Sequence, residues 1–131
     1  MTKILIKRLS KEVSLPKYET NGSSGMDLAA DVDANINIDP GKTAIIPTGL
    51  ALSIPKGFEV QIRPRSGLAA KQKISVLNTP GTIDADYRGE IGVILINLSS
   101  ENYMLNPGER VAQLVISRYE KVSWDLDRDL D

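Results

Sequence analysis

The sequence predicts an all-β fold, a sandwich or barrel of short strands with one short helix. The main observation is that short apolar stretches, several alternating with polar residues, are interrupted by Gly and Pro at even spacing. Three Pro–Gly turns support this prediction, and the first has the residue order that favours a type II turn. These turns are Asp39–Lys42, Pro55–Gly57 and Asn106–Glu109. Many short strands joined by such turns are typical of sandwiches and barrels.

Each predicted element has its own pattern of apolar residues. Val32 to Ile38 alternates apolar residues with Asp and Asn, which predicts a strand with one solvent-exposed face. Glu90 to Leu98 is nearly continuous in apolar residues, which indicates a central strand. Gly67 to Lys73 is the only stretch that favours a helix. The other predicted strands are Ile4–Ile6, Thr43–Ile46, Gly49–Ile54, Phe58–Ile62, Ile74–Leu77 and Arg110–Ser117.

Length and composition favour one globular domain, residues 1–131. If it is an enzyme, its reactive groups are expected to be carboxylates. The chain has 131 residues, 41% hydrophobic and 25% charged, with a net charge of -1, which argues against a duplex nucleic-acid-binding face. It contains no Cys and no His, which excludes thiol nucleophiles, thiolate zinc sites and the commonest general base. A proton acceptor would therefore be a carboxylate, and a metal would be a hard cation such as magnesium.

No segment resembles a targeting signal. Met1 to Leu9 lacks the long apolar run of a signal peptide, and no stretch approaches the length that spans a bilayer. We therefore expect a cytoplasmic protein without a membrane partner or a stable nucleic-acid partner. We also expect the chain after Tyr119 to leave the core, because it becomes acidic. The acidic residues of this tail are Asp125, Asp127, Asp129 and Asp131.

Four polar segments interrupt the strands in ways that the fold does not require. The first contains Asp27 between small and apolar residues, where a lone carboxylate is costly. A turn Asp that accepts backbone N–H bonds is the alternative. The second, Arg63 to Ala69, joins a strand end to the predicted helix, where Arg65, Ser66 and backbone N–H groups could hold an anion. A solvated turn with a surface Arg is equally compatible.

The third segment, Asn78 to Gly89, has the Asn, Pro and Gly of a hairpin with exposed main chain. Such a hairpin could present N–H and C=O groups to the edge of a base. Asp84 and Asp86 are two residues apart, so they would share one face of an extended strand and could hold a metal or orient a water. A polar loop edge is the alternative, but the density of special residues favours a functional role.

The fourth segment, Gly108 to Val115, places Gln113 between Val111 and Val115 on one face of the predicted strand. A Gln on such a face needs a hydrogen-bond partner. A backbone group would satisfy it as well as a ligand would.

Together and in this order, the four segments resemble the motifs of the homotrimeric dUTP pyrophosphatases (dUTPases), over nearly the whole chain. Arg65 to Ala69 and Ile83 to Gly89 are specific to that family, whereas the segments around Asp27 and from Gly108 to Val115 match more weakly. The resemblance implies a jelly-roll-like β-sandwich or distorted barrel that assembles as a homotrimer with shared active sites. It implies magnesium-dependent hydrolysis of dUTP to dUMP and pyrophosphate, which supplies dUMP for thymidylate synthesis and keeps uracil out of DNA.

The resemblance also implies residue roles. Asp84 is the expected catalytic residue, which orients a water for in-line attack on the α-phosphorus and accepts its proton. Tyr87 is expected to pack under the deoxyribose, and Asp27 to act on the water shell of the metal or to order the phosphate loop. Asp86 also matches a family position, but we interpret it as structural. Mg²⁺ would be held by phosphate oxygens and waters, without a direct protein ligand. The expected substrate-binding residues are Arg65, Ser66, Gly67, Asn78, Gly81, Thr82, Ile83, Tyr87, Gly92 and Gln113.

Members of the family normally end in a Gly-rich arm, with an Arg and a Phe, that closes over the nucleotide. This sequence has no such motif, and its only Phe and only Trp are Phe58 and Trp124. We expect residues from about 120 to 131 to begin that arm, with the Gly-rich motif beyond Leu126 to Asp131. We also expect the arm to affect the catalytic rate far more than the affinity for dUTP.

Three other functions fit parts of the pattern. A dCTP deaminase shares the fold but needs a Glu base near the hairpin, where this chain has Asp84 and Tyr87. A non-catalytic trimer that binds dUTP or a protein partner is disfavoured by the complete set of Asp84, Tyr87, Arg65 and Ser66. A purely structural jelly-roll subunit leaves the four polar segments unexplained.

Overall fold

The computed structural model describes residues 1–130, in two four-stranded sheets, one two-stranded sheet and one helix. Asp131, the last acidic residue of the tail, lies outside the described residues. The elements are β1 (Leu5–Arg8), β2 (Gly25–Ala29), β3 (Ile36–Ile38), β4 (Thr43–Ser53), β5 (Phe58–Arg63), α1 (Ser66–Gln72), β6 (Ile74–Val76), β7 (Gly81–Ile83), β8 (Glu90–Asn97), β9 (Tyr103–Leu105) and β10 (Arg110–Arg118).

The strands pair in three antiparallel sheets. Their orders are β1-β4-β8-β6, β2-β10-β5-β7 and β3-β9. This confirms the predicted all-β fold with one short helix, in its sandwich form, since residues 1–130 form no closed barrel. No helix among the described residues is long and apolar enough to cross a membrane.

The hydrophobic core lies between the two larger sheets. Strand β8 shows how it forms, because alternate side chains, Ile91, Val93 and Leu95, are buried to 1% exposure or less. Residues of the opposite sheet, such as Val60 and Leu114, belong to the same cluster. Burial of each such aliphatic side chain stabilises the fold by about 1.5–3 kcal/mol. The prediction that β8 is central is confirmed, since β8 lies between β4 and β6.

Asn97 at the end of β8 is, with Thr48, one of two buried polar residues among residues 1–130. Its side chain is fully buried, and its amide nitrogen donates to the carbonyl oxygens of Ile38 and Glu101, both at 2.8 Å. Its oxygen accepts the N–H and hydroxyl of Ser99 at 2.9 and 2.7 Å. A buried amide with all these bonds costs little, and it ties β3 to β8.

The predicted turns are confirmed, and two predicted strands are corrected. In the first turn the N–H of Lys42 donates to Asp39 at 3.0 Å, and Gly41 has the positive φ, 77°, that a type II turn requires. The strand predicted from Val32 to Ile38 is limited to Ile36–Ile38, the residues that pair with β9. Thr43–Ile46 and Gly49–Ile54 form one strand, β4, with an irregularity between Pro47 and Ala51.

Tyr103 in β9 supports the start of β10 through a hydrogen bond from its hydroxyl to the carboxylate of Glu109. Burial, and then the neighbouring Glu109, raises the pKa of Tyr103 well above its usual value of about 10. The folded chain therefore keeps this proton to a higher pH than the unfolded chain does. The resulting stabilisation is complete below about pH 10 and is lost as the pH rises further.

We therefore expect the difference in unfolding free energy between the parent and a Tyr103→Phe variant to shrink above about pH 10. Urea titrations of both proteins at about pH 8 and about pH 11 measure this difference. A difference that is the same at both pH values would contradict the assignment.

Candidate active site

A pocket of about 180 Å³ lies between the end of β7 and the start of β8, and we call it the β7–β8 pocket. Drug-sized pockets begin at about 300 Å³, so this one suits a single small ring and not a whole nucleotide. It brings together the predicted residues Thr82, Ile83, Asp84, Tyr87 and Gly92. Its full lining is Thr82, Ile83, Asp84, Tyr87, Glu90, Ile91 and Gly92.

The main chain of β7 has one free edge beside this pocket. β7 pairs with β5 on one side only, with Ile83 opposite Val60 and Gly81 opposite Ile62. The hairpin predicted for Asn78 to Gly89 is therefore wrong, because β7 pairs with β5 and the next strand, β8, belongs to the other sheet. The crossing between sheets keeps the two strands apart. The N–H and C=O groups on the outer edge of β7 thus remain available to a ligand.

Asp84 is the first residue of a tight turn. The N–H of Tyr87 donates to the carbonyl of Asp84 at 3.1 Å, and the Arg88 guanidinium donates to the carbonyl of Ala85 at 2.6 Å. The prediction that Asp84 and Asp86 share a face of an extended strand is therefore wrong. Asp84 lines both the β7–β8 pocket and an adjoining cleft of about 1300 Å³, whereas Asp86 lines only the cleft. Asp84 thus stands where the small pocket opens into the larger space.

Asp84 and Glu90 are the two carboxylates of the β7–β8 pocket, and they differ in their partners. The Glu90 carboxylate accepts the N–H of Gly49 at 2.9 Å. Within residues 1–130 no hydrogen bond or ion pair involves the Asp84 carboxylate, which is exposed and therefore open to a water molecule. A deaminase base would need an unengaged Glu, and Glu90 does not meet that requirement.

A second group of site residues surrounds Asp27, and we call Asp27, Arg65 and Arg110 the Asp27 cluster. The Asp27 carboxylate is 3.2 Å from Nε of Arg65 and 3.4 Å from Nη1 of Arg110. Arg65 also donates to the carbonyl of Arg110 at 3.3 Å. Asp27 thus pairs with cations and is not the turn residue of the alternative interpretation. Partly exposed pairs of this kind stabilise the fold by about 0–1 kcal/mol, so their effect here is mainly to orient Arg65.

The first turn of α1 follows Arg65 directly. The first helical backbone bond runs from the N–H of Ala69 to the carbonyl of Arg65 at 3.0 Å. No side chain of residues 1–130 caps this helix start, and its first turn holds no acidic residue. Ser66 and Gly67 are exposed. The hydroxyl of Ser66 and the N–H groups of this turn are therefore open to an anion.

Gln113 of β10 connects the two sides of the Asp27 cluster. It lies opposite Asp27 in β2 and opposite Arg63 in β5, and its amide donates to the carbonyl of Pro64 at 3.0 Å. Gln113 therefore has a backbone hydrogen-bond partner, which was one of the two alternatives left open by the sequence. Its oxygen lies across Gly25, where a Cβ atom would collide with it.

The β7–β8 pocket and the Asp27 cluster are far apart in one chain. They lie at β7 and β2, the opposite edges of a four-stranded sheet, and three strand spacings amount to about 14 Å. Arg65 follows the end of β5. Measured along the direction of β5 at the rise of a strand, Arg65 is about 16 Å from the residue that lies opposite Ile83. The two groups are therefore well separated in a single chain.

Two predicted residues lie beside the β7–β8 pocket without lining it. Gly81 is buried in β7, and the side chain of Asn78 lies against it, with Nδ2 3.1 Å from where a Cβ would stand. The sequence reasoning did not single out Glu90 and Arg110 as site residues. The available signal was a charged residue at the first position of a predicted strand. No group of three or more acidic side chains within residues 1–130 could hold a metal ion.

Comparison with known proteins identifies the family. The dUTPase family model matches residues 11–131. A deoxyuridine 5'-triphosphate nucleotidohydrolase of Orientia tsutsugamushi (strain Boryong) is 56% identical over 90% of this chain and 80% of its own length. The enzyme of that name from Ehrlichia canis (strain Jake) is 55% identical over 99% of this chain and 87% of its own.

Solved structures give the same fold. The dUTPase of Staphylococcus bacteriophage 80alpha superposes with a TM-score of 0.88 at 24% identity, covering 98% of both chains. A mutant of that protein with dUpNHpp superposes equally well, at 0.88 and 23% identity over 100% of this chain and 99% of the other. The dUTPase of phage phi11 of S. aureus, described with a structural Mg(II) ion, has a TM-score of 0.87 at 22% identity over 98% and 99%. The chain therefore belongs to the dUTPase family and has its jelly-roll-like fold.

Proposed function

We propose that this chain hydrolyses dUTP to dUMP and pyrophosphate through attack of water on the α-phosphorus. The product supplies thymidylate synthesis, and the reaction keeps uracil out of DNA. The observation that carries the proposal is the position of Asp84. Its unpaired carboxylate stands at the mouth of a pocket sized for one ring, in a chain of the dUTPase family.

The β7–β8 pocket is the proposed site for uracil. Uracil offers two carbonyl acceptors and one N–H donor, and the free edge of β7, with Gly81, Thr82 and Ile83, offers complementary main-chain groups. Cytosine reverses two of these groups and would leave them unpaired, which can cost several orders of magnitude in selectivity. The thymine methyl would be excluded by the close backbone, with Gly92 at the far side of the pocket.

Tyr87 is the proposed platform for the deoxyribose. Its ring is 46% exposed, and it lines the same pocket as Asp84. A ring packed against C2′ leaves neither room nor a partner for the hydroxyl of a ribose. This would exclude UTP by overpacking and by an unpaired polar group.

The triphosphate is proposed to bind at the Asp27 cluster of a second copy of the chain. Arg65 can form a fork to two phosphate oxygens, and Ser66, the Gly67 amide and Gln113 add further contacts. Asp27, the partner of Arg65, lies in β2, and Asp84 follows β7 at the opposite edge of the sheet, so we propose that the Arg65 beside Asp84 comes from a neighbour. This geometry supports a homotrimer with shared active sites.

The chain after β10 also supports assembly. Val122, Trp124 and Leu126 are 72%, 93% and 99% exposed, and their spacing of two puts them on one face of an extended segment. Large apolar side chains exposed in a row mark an interaction surface. We propose that this segment packs on another copy, and that residues 1–131 otherwise form one domain. A cytoplasmic location stays a prediction.

The proposed chemistry uses one carboxylate and fixed positive charge. Asp84 orients a water in line with the α-phosphorus and accepts its proton as the new P–O bond forms and the bond to pyrophosphate breaks. Arg65 and the amides at the start of α1 stabilise the charge that develops on the phosphate oxygens. In a chain without His, a carboxylate is the available base at this position.

The proposed cofactor is Mg²⁺, bound by phosphate oxygens and waters. The residues present suit a hard cation, because Asp84 and Asp27 offer only oxygen donors and the chain has no imidazole or thiol. Asp27 of the neighbour would hold a metal-bound water or keep Arg65 in place. When bound, the ion neutralises part of the charge on the triphosphate.

Pyrophosphate release from a panel of nucleoside triphosphates with magnesium tests the proposed function. We expect turnover of dUTP, and turnover lower by several orders of magnitude for dCTP, dTTP and UTP. Comparable release from all four would contradict the proposal. Deamination of dCTP would instead favour the deaminase, and dUTP binding without turnover would favour the non-catalytic trimer.

A further inference from the structure

The ring of Tyr87 rests on the backbone of Gly89. A Cβ atom built on Gly89 would lie 2.6 Å from Oη and 2.8 Å from Cζ of Tyr87, distances that real Cβ contacts do not reach. Gly89 is not among the glycines with positive φ, so its backbone would accept an L side chain. A side chain at this position would therefore have to displace the tyrosine ring, whose hydroxyl end occupies the space.

A hydrogen bond holds the same, hydroxyl end of the ring. The Tyr87 hydroxyl donates to the carbonyl of Glu90 at 2.7 Å, and the Glu90 carboxylate accepts the N–H of Gly49 in β4 at 2.9 Å. The tip of the tyrosine is thus linked to a strand of the core sheet. An exposed tyrosine would otherwise change rotamer freely on a nanosecond timescale. Here the hydroxyl end of the ring lies against Gly89 and is also hydrogen-bonded, which fixes the ring before any ligand arrives.

We propose that Gly89 is a positioning residue that sets the discrimination between dUTP and UTP. The inference rests on the proposed function, in which the free face of Tyr87 packs against the deoxyribose. An added methyl group at Gly89 displaces the Tyr87 ring from its position and stretches or breaks the hydrogen bond to the Glu90 carbonyl. The surface that excludes the 2′-hydroxyl then moves, while Asp84 and the free edge of β7 keep their places. Specificity for the sugar would thus depend on a residue that does not contact the substrate.

The test is the ratio of kcat/KM for dUTP to kcat/KM for UTP, because a loss of folded enzyme cancels in this ratio. We expect the Gly89→Ala variant to lower the ratio about tenfold or more, toward that of Tyr87→Ala. In the Tyr87→Ala background, Gly89→Ala should produce no further change, since the ring it displaces is gone. Gly22→Ala is the matched control, because Gly22 has nothing within 4 Å of its Cβ position.

A parent-like ratio in Gly89→Ala, with a lowered ratio in Tyr87→Ala, would overturn the inference and leave the proposed function intact. Failure of the proposed function looks different, since the parent would then not turn over dUTP, or Tyr87→Ala would discriminate as the parent does. If Gly89→Ala does not fold, Tyr87→Phe decides, because it removes only the bond to Glu90. We expect its ratio to fall severalfold, and a ratio equal to the parent's would overturn the inference.

Discussion

Replacement of Asp84 by Asn is expected to lower kcat for dUTP by about three orders of magnitude, the usual contribution of a positioned general base. Asn keeps the size of the side chain and can still bond a water, but it cannot accept the proton that the water loses. Binding of dUTP is expected to be retained or slightly tighter, because one negative charge beside the triphosphate disappears. Single-turnover pyrophosphate release and calorimetric titration with a non-hydrolysable dUTP analogue measure the two quantities separately.

The matched control is Asp86→Asn, the same change two residues along the same turn. Asp86 is also exposed but lines only the larger cleft and not the β7–β8 pocket. We expect its kcat to stay within a few-fold of the parent's. Equal losses in the two variants would mean that the charge of the cleft matters and not the position of Asp84, and the proposed role of Asp84 would be wrong.

The fold class could be predicted from the sequence because its signals are local. A Pro–Gly pair specifies the turn at Asp39–Lys42 within four residues, and the apolar run of β8 requires burial of at least one face whatever its partners are. Such signals do not depend on which strands become neighbours, so they survive in the folded chain.

Strand partners could not be predicted in the same way. The segment from Asn78 to Gly89 has the composition of a hairpin, yet its strand β7 pairs with β5, from which α1 and β6 separate it in the chain. Local composition fixes where the chain bends but not which edge it joins. The strand from Val32 is shorter than predicted for the same reason, since only Ile36–Ile38 has a partner strand, β9.

The sequence predicted which residues belong to the candidate site, but not how they are arranged in space. The resemblance supplied Asp84, Tyr87 and Arg65, and the structure adds how each is held. Contacts such as Asp27 with Arg65 join distant parts of the sequence and follow only from the order of strands in the sheet. The separation of the β7–β8 pocket from the Asp27 cluster has the same origin.

A complementation assay with two inactive variants tests most directly whether Asp84 and Arg65 of different copies form one site. Asp84→Asn and Arg65→Ala are each expected to be nearly inactive alone. The trimers are reassembled from an equal mixture of the two unfolded chains, so half of the chains carry the native Asp84 and the other half carry the native Arg65. About one shared site in four then contains both native residues. The shared site predicts a return to about a quarter of parental activity in the mixture. A mixture as inactive as its two components would contradict it, and would place the triphosphate in the cleft beside Asp84 of the same chain.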